Sequence, residues 1–369
     1  MVGAGERIVA EARGLGFVLA GFAPLAPLER AGFVERWVAE GRAGEMHYLA
    51  RRMAERMDPA RLVPWARAVV ALAYPYGPPP PAPLDWRESL RGRIAAYALG
   101  TDYHDRVQAR LRALVARLGR VFPAARFRAY VDTGPVLERE WAMRAGLGWI
   151  GKNTLVLDRA RGSYFFLAVL FTDLDLGLPP SPAADHCGGC TRCHVACPTG
   201  ALGPGYTMDP RRCLAYLTIE HRSAIPVALR PALENWIFGC DLCQEACPWN
   251  GDARGADPAG ELTPYLPALL ALDADGFRAR FGRTAVARAK RRGLLRNVAV
   301  ALGNSGNRAA VPALTGALAD LEALVRGHAA WALGRLGGPA ARAALGAARG
   351  RETDPLARGE IEAALAAGY

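Results

Sequence analysis

All eight cysteines of this 369-residue chain fall between Cys187 and Cys247. The first four read Cys187-x2-Cys190-x2-Cys193-x3-Cys197-Pro198. In that spacing three neighbouring thiolates hold one [4Fe–4S] cluster, while the cysteine before proline ligates the other cluster. A second run, Cys240-x2-Cys243-x3-Cys247-Pro248, lacks its first step, and the remote Cys213 supplies the missing ligand. The rule assigns Cys187, Cys190, Cys193 and Cys247 to cluster one. It assigns Cys197, Cys213, Cys240 and Cys243 to cluster two. The C-x2-C pairs also suit zinc, although zinc sites rarely carry this triple run followed by Cys-Pro. A disulfide framework would need an oxidising compartment. Clusters of this kind move single electrons, so an acceptor group is expected nearby.

Three further stretches carry side chains able to do chemistry. In Tyr130-Val-Asp132-Thr-Gly-Pro-Val-Leu-Glu-Arg139 an apolar strand ends at an acid, and a turn then opens a helix. Asp132 is a candidate acid at a strand end; it is equally a candidate helix cap. Gly146-Leu-Gly-Trp-Ile-Gly151-Lys152-Asn153-Thr154 packs three glycines into six residues, which lets backbone approach a ligand, or else forms a helix C-cap and turn. Lys152 is one of two lysines among 46 basic residues, a compact ammonium where the chain otherwise uses arginine. Asp102-Tyr103-His104 precedes a helix, and His104 is either a proton relay or a capping or core histidine.

These side chains need elements to hold them. Residues 1–176 read as mixed α and β. Strands are expected at Phe17–Ala20, Ala68–Tyr74, Arg93–Ala98, Phe127–Asp132 and Tyr164–Thr172. Helices are expected at Glu6–Arg13, Leu28–Glu40, Asp105–Arg120 and Leu137–Ala145. Gly77–Pro83 is a stiff Pro-rich loop, residues 177–255 form the cysteine segment, and Asn250–Asp257 reads as a linker. Residues 256–369 are helical and repetitive. Arg296-Asn-Val-Ala-Val-Ala-Leu-Gly303 is echoed by Gly327-His-Ala-Ala-Trp-Ala-Leu-Gly334, and Leu324-x-Arg326-Gly327 by Leu356-x-Arg358-Gly359, at offsets of 31 and 32 residues. That period suits a HEAT-like stack of helix pairs presenting a surface to a macromolecule.

The formal charge is +11. Nine basic residues and no acidic one lie between Phe277 and Ala319: Arg278, Arg280, Arg283, Arg288, Lys290, Arg291, Arg292, Arg296 and Arg308. A one-signed run on a helical scaffold points to nucleic acid, the plainer alternative being a solvated face. No apolar run is long enough to span a membrane, and Met1–Arg7 has no secretory apolar core. A cytoplasmic protein is therefore expected.

In this order, Tyr-Val-Asp-x-Gly-Pro-Val-x-Glu-Arg and Gly-Trp-Ile-Gly-Lys-Asn, the double-cluster segment and the HEAT-like tail make the whole chain resemble the epoxyqueuosine reductase family. The resemblance implies an α+β multidomain fold. Its parts would be a nitroreductase-like α/β domain holding cobalamin, a ferredoxin-like domain with two [4Fe–4S] clusters, and helical repeats that bind tRNA. It implies reduction of the epoxide of epoxyqueuosine in the anticodon loop to the alkene of queuosine, with electrons from an external donor such as flavodoxin or ferredoxin. Residue by residue, Asp132 matches the proton donor and stands with Arg56, Arg139, Lys152, Asn153 and Ser163 among the corrinoid contacts. Ala95 matches a contact position that only a backbone interaction would preserve. Tyr103 and His104 match an Asp-Tyr-His motif of less certain role. As a proton donor Asp132 would need a raised pKa. A corrinoid reductive dehalogenase, or an electron carrier on a nucleic-acid-binding scaffold, are the alternatives.

Overall fold

The run Ala-Val-Val-Ala-Leu-Ala-Tyr from Ala68 has no polar alternation, so as a strand it must be covered on both faces. The computed structural model describes residues 3–77, 85–177, 183–251 and 261–367, and there this run is the buried strand Ala68–Pro75. Residues 78–83 of the expected Pro-rich loop and 252–257 of the expected linker lie outside the described residues. The chain divides into two compact units, each assembled from separate stretches. Residues 1–78, 101–209 and 242–258 form the first; residues 79–100, 210–241 and 259–369 form the second.

The first unit comprises, in chain order, α1 (Ala4–Arg13), β1 (Leu19–Pro24), α2 (Ala31–Ala39), β2 (Ala68–Pro75), α3 (Tyr103–Val121), β3 (Phe127–Tyr130), α4 (Glu138–Arg144) and β4 (Phe165–Thr172), besides shorter pieces. Its sheet has the order β1-β2-β4-β3, and every neighbouring pair is antiparallel. The register runs from Ala68 opposite Thr172 to Pro75 opposite Phe165. Alternation along β2 and β4 sends Val69, Val169 and Phe171 toward Trp141 of α4, and Ala71, Ala73 and Phe165 toward Ala142 and Ala145. Trp141 and Ala142 are fully buried there. Helices α1 and α3 contact the sheet through β1, β3 and β4. Asp102 caps α3, accepting from the His104 amide at 3.0 Å.

Two expected strands differ. Phe17–Ala20 is displaced, because Gly16 turns the chain off α1 at φ +89° and ladder pairing begins at Leu19. Arg93–Ala98 is a strand only at Arg93–Ile94; Ala96–Ala98 is a 3-10 turn whose first amide donates to Asp241 Oδ2 at 2.7 Å. That short strand pairs in parallel with Trp236–Phe238 inside the second unit. The three consecutive parts expected over 1–176, 177–255 and 256–369 therefore cut the chain differently from its two units: stretches on either side of the first cysteine run fold with the helical repeats.

In the second unit the inner helix Lys290–Ser305 packs on Ala323–Leu336, which packs on Pro355–Ala366. These are the three aligned copies. The repeated glycine sits where the helices touch. A Cβ on Gly303 would lie 2.8 Å from Ala332 Cα, and one on Gly334 would lie 2.8 Å from Ala364 Cβ. Among the described residues no helix is long and apolar enough to cross a membrane. Gly303→Val should overpack this interface and lower stability by about 1–3 kcal/mol; an unchanged denaturation midpoint would show that the helices part freely there.

Candidate active site

Two groups of chemically competent side chains form in the first unit. In the first, Cys187, Cys190, Cys193 and Cys247 line one recess with Lys152, Asn153, Leu157, Pro248 and Trp249. The spacing rule joined these four cysteines, and the fold brings them together. None of the eight cysteines is in a disulfide, and each is partly buried. Burial pushes the Cys193 and Cys247 thiols up, and the neighbouring thiols add to it. Burial acts the same way on Cys197, but hydrogen bonds from Thr199 and the Ala201 amide outweigh it and hold that thiol below its ordinary value. Cys243 lies in the first unit as well, Cys213 and Cys240 in the second. Among the described residues no three His, Cys, Asp or Glu side chains close to single-ion distance.

The glycine-rich stretch serves the protein's own packing. Gly146 ends α4 in the left-handed region at φ +74°. A Cβ on Gly148 would overlap the Leu157 carbonyl, because Trp149–Ile150 pairs with Val156–Leu157. The C-cap-and-turn reading accounts for these glycines. Lys152 Nζ donates to the carbonyls of Gly188 at 2.6 Å and Cys190 at 3.0 Å, tying down the first cysteine loop. Trp149 meets His186 and Trp249 edge-on beside it. Ser163 is buried; its amide donates to Asn250 Oδ1 at 2.7 Å, and its hydroxyl oxygen accepts from Gln244 and Asn250.

The second group surrounds Asp132. Strand β3 stops at Tyr130, and Asp132 takes a left-handed φ of +51°. The capping alternative does not hold: α4 begins at Glu138, and the Asp132 carboxylate is engaged elsewhere. Tyr103 Oη donates to its Oδ2, and His104 Nε2 lies 3.5 Å from the same oxygen. His104 Nδ1 is 2.8 Å from Asp102 Oδ1. The Tyr103 ring is stacked between His104 and Phe166, at 4.0 and 4.4 Å between centroids. The Asp132 amide donates to Glu138 Oε1 at 3.2 Å.

The side chain of Asp132 is 65% accessible, yet protein flanks it on the remaining sides. Burial is the largest influence and raises its pKa, but the hydrogen bonds from His104 and Tyr103 prevail and hold the carboxyl below its ordinary value. Its partners favour the ionised carboxyl, so the raised value a proton donor needs would have to come from burial beneath a corrin and a nucleobase. His104 is raised, first by the bond to Asp132, then against burial by Asp102. Both shifts favour the proton on the imidazole over the carboxylate. Arg56 and Arg139 flank the carboxylates, both lowered by burial and opposed by Glu138. Arg139 also donates to the Thr154 carbonyl at 2.6 Å. Arg56 Nε and Asn153 Nδ2 are buried without a hydrogen-bond partner among the described residues. Glu138 received no role from the sequence, although it stands in the quoted motif; its signal is an acid opening the helix six residues after Asp132. Ala95 lies in the second unit, buried, its amide donating to the Phe238 carbonyl at 2.9 Å.

Part of the acid-free run is neutralised from outside it. Acids from outside it pair with its members: Asp275 with Arg278, Glu261 with Arg280, Glu220 with Arg288 and Asp320 with Arg291. Arg296 is fully buried. Arg283, Lys290 and Arg292 are exposed and form no ion pair among the described residues.

Comparison with known proteins decides the family. The chain is 41% identical over 339 residues to an epoxyqueuosine reductase of Pseudomonas aeruginosa, covering 88% of this chain and 92% of that one. It is 40% identical to one of Xanthomonas campestris, over 90% and 96%. The chain belongs to the epoxyqueuosine reductase family. Residues 56–133 match the epoxyqueuosine reductase QueG family model, 186–250 a 4Fe–4S double cluster binding domain, and 284–366 HEAT repeats. A solved epoxyqueuosine reductase with an epoxyqueuosine-modified tRNA-Tyr stem loop superposes with a TM-score of 0.90 at 31% identity over 98% of both chains. One from Bacillus subtilis with its catalytic loop swung out of the active site gives 0.90 at 30%, over 99% and 98%. The family match for a double-cluster domain spans all eight cysteines, so this member carries iron–sulfur ligands rather than structural thiols.

Burial, and then the Asp132 charge, push Glu138 up to about 7 from its ordinary 4.5. The folded protein thus holds this proton more tightly than the unfolded chain does. The group's contribution to stability is intact below about pH 4.5 and is lost as pH rises through about 7. Glu138→Gln keeps the acceptor for the Asp132 amide and should flatten that fall. Denaturant midpoints at about pH 5 and about pH 8 test it; equal pH dependence in both proteins would show that Glu138 is ionised throughout.

Proposed function

We propose that this protein reduces epoxyqueuosine in the anticodon loop of tRNA to queuosine, the last step of queuosine synthesis. Losing the epoxide oxygen as water takes two electrons and two protons. The observation that carries the reading is the convergence of Tyr103, His104 and Asp132 in a chain of this family. A bound corrinoid would supply the reducing chemistry at carbon, and two [4Fe–4S] clusters would supply electrons singly from a small external carrier such as flavodoxin or ferredoxin. The residues suit a corrinoid: its rim is rich in amide carbonyls, and Arg56 Nε and Asn153 Nδ2 are buried donors without an acceptor among the described residues. Arg139, Lys152 and Ser163 complete the proposed contacts. The crossed ligation, with Cys197, Cys213, Cys240 and Cys243 on cluster two, is proposed with it.

Asp132 then acts as the group that hands protons to the substrate oxygen, refilled from His104. Its carboxyl is held below the ordinary range, whereas His104 is raised and 3.5 Å away. Asp102 holds the imidazole by Nδ1, leaving Nε2 toward Asp132. Tyr103, stacked and donating to the same oxygen, fixes the carboxylate against rotation. We place the enzyme in the cytoplasm, where tRNA resides and thiolate ligands stay reduced.

Asp132→Asn should retain cofactor binding and lose on the order of 10²–10⁴ in conversion of epoxyqueuosine-containing tRNA. Turnover within a few-fold of wild type would remove Asp132 from the mechanism.

The exposed cations Arg283, Lys290 and Arg292 are the proposed electrostatic partners of the anticodon stem loop. Reversing the three to glutamate should weaken stem-loop binding and flatten its dependence on salt, the slope falling by about 0.7–0.9 for each phosphate no longer neutralised. Arg291 is left in place because its pairing with Asp320 is structural. An unchanged salt slope would mean that these cations are only solvated surface.

A further inference from the structure

The dipeptide Arg296–Asn297 lies on the inner helix Lys290–Ser305 with both side chains fully buried. Asn297 Nδ2 donates to the Thr218 carbonyl and to the Ile237 carbonyl, each at 2.8 Å. Its Oδ1 accepts from Arg296 Nε at 3.0 Å and Nη2 at 2.9 Å. Two donors and two acceptor positions are thereby filled, and the amide has a single orientation. Arg296 also donates to the carbonyls of Leu217 at 2.6 Å, and of His221 and Ser223 at 2.8 Å. Thr218 closes the set: its hydroxyl donates to the Leu214 carbonyl at 2.7 Å and accepts from the Gly239 amide at 2.9 Å.

The two segments joined here are the helix Leu214–Ile219, which begins directly after Cys213, and the strand Trp236–Phe238, which ends two residues before Cys240. Those cysteines are the two assigned to cluster two that the second unit supplies. We propose that Asn297, oriented by Arg296, is a positioning residue for the ligands of cluster two, setting the spacing between the Cys213 and Cys240 backbones. This rests on the ligand assignment above. A buried amide bridging two carbonyls is a rigid device, since breaking it leaves buried polar groups unpaired in a medium where that is costly. Helix packing alone would not need it: the neighbouring packing of this helix is apolar, as at Gly303 and Ala332.

The test compares the full-length protein, reconstituted anaerobically with iron and sulfide, with four variants. Asn297→Asp keeps the acceptor for Arg296 and loses both donated bonds. Thr218→Val removes the acceptor for the Gly239 amide together with the donor to the Leu214 carbonyl, and leaves Asn297 and Arg296 in place. Cys213→Ser deletes a ligand directly. Gly303→Val destabilises the same helix without touching the bridge. Iron per chain and the electron paramagnetic resonance spectrum of the reduced protein are read. Wild type should hold roughly eight irons, from two four-iron clusters. Asn297→Asp should fall toward half that content and lose the same spectral component that Cys213→Ser loses, with Thr218→Val between them and Gly303→Val retaining both components. Full iron and an unaltered spectrum in Asn297→Asp and Thr218→Val would overturn the proposal. So would equal loss in Gly303→Val, which would mark general instability. If Asn297→Asp fails to fold, Thr218→Val decides alone. Wild-type content near four, or a Cys213→Ser variant with both components, would instead sink the underlying ligand assignment.

Discussion

Cys247 must reach the same recess as Cys187, Cys190 and Cys193, and the first unit is arranged around that long-range convergence. A thiolate cage tolerates little positional error, so the segment carrying Cys247 is fixed at several points. Gln244 and Asn250 bracket it, both bonded to Ser163 at the head of β4. A Cβ on Gly162 would overlap Asn250 Oδ1, so the glycine admits the anchor. Trp249 packs on Trp149 and His186. On the opposite side, Lys152 holds the loop of Cys187 and Cys190 through two carbonyls. The motif Gly-Trp-Ile-Gly-Lys-Asn is thus a frame for the cluster loop. Asn153, whose amide nitrogen is left unmatched, is the member of it with a donor still to place.

The acid site follows a different logic. Burial taken alone would raise the Asp132 carboxyl. Here two donors reverse the sign for Asp132 and favour the proton on His104. The left-handed backbone at Asp132 is uncommon for a residue with a Cβ, and strain of this sort persists only where surroundings over-determine it. Those surroundings are visible: Glu138 takes the amide, Tyr103 the carboxylate. Burial first, and then the charge of Asp132, push Glu138 up.

Much of this was legible in the sequence because it depends on local spacing. The cysteine runs grouped the four thiols that share one recess, because the Cys-Pro rule already encodes the crossing. The repeat register placed Gly303 and Gly334 because solenoid packing recurs with the chain's own period. What was not legible depends on partners distant in sequence. Arg93–Ile94 looks like one more strand of the sheet, but its partner lies at Trp236–Phe238. The acid-free run from Phe277 looked unneutralised because Glu220, Glu261 and Asp320 lie outside it. The glycines before Lys152 looked like a ligand approach because a hairpin of two short pairs leaves almost no pattern.

The treatment of buried polar groups separates scaffold from site. In the second unit His328 is fully buried and held well below its ordinary value, by burial first and then by nearby guanidinium groups. Being neutral, it can donate from Nδ1 to the Leu324 carbonyl at 2.7 Å and accept at Nε2 from the Ile225 amide at 3.2 Å, which fixes one tautomer. Arg230, almost wholly buried, forks onto Glu360 and also donates to the Ile225 carbonyl at 2.8 Å. Asn297 fills every position it has. These groups have met their partners inside the protein, so they specify geometry and offer nothing to a ligand. Arg56 and Asn153 in the first unit are the contrary case, buried donors whose acceptors the described chain does not supply. A protein tolerates an unmatched buried donor where something else completes it. Matched groups such as Asn297 specify geometry, whereas Asn153 Nδ2 is a donor still to be placed.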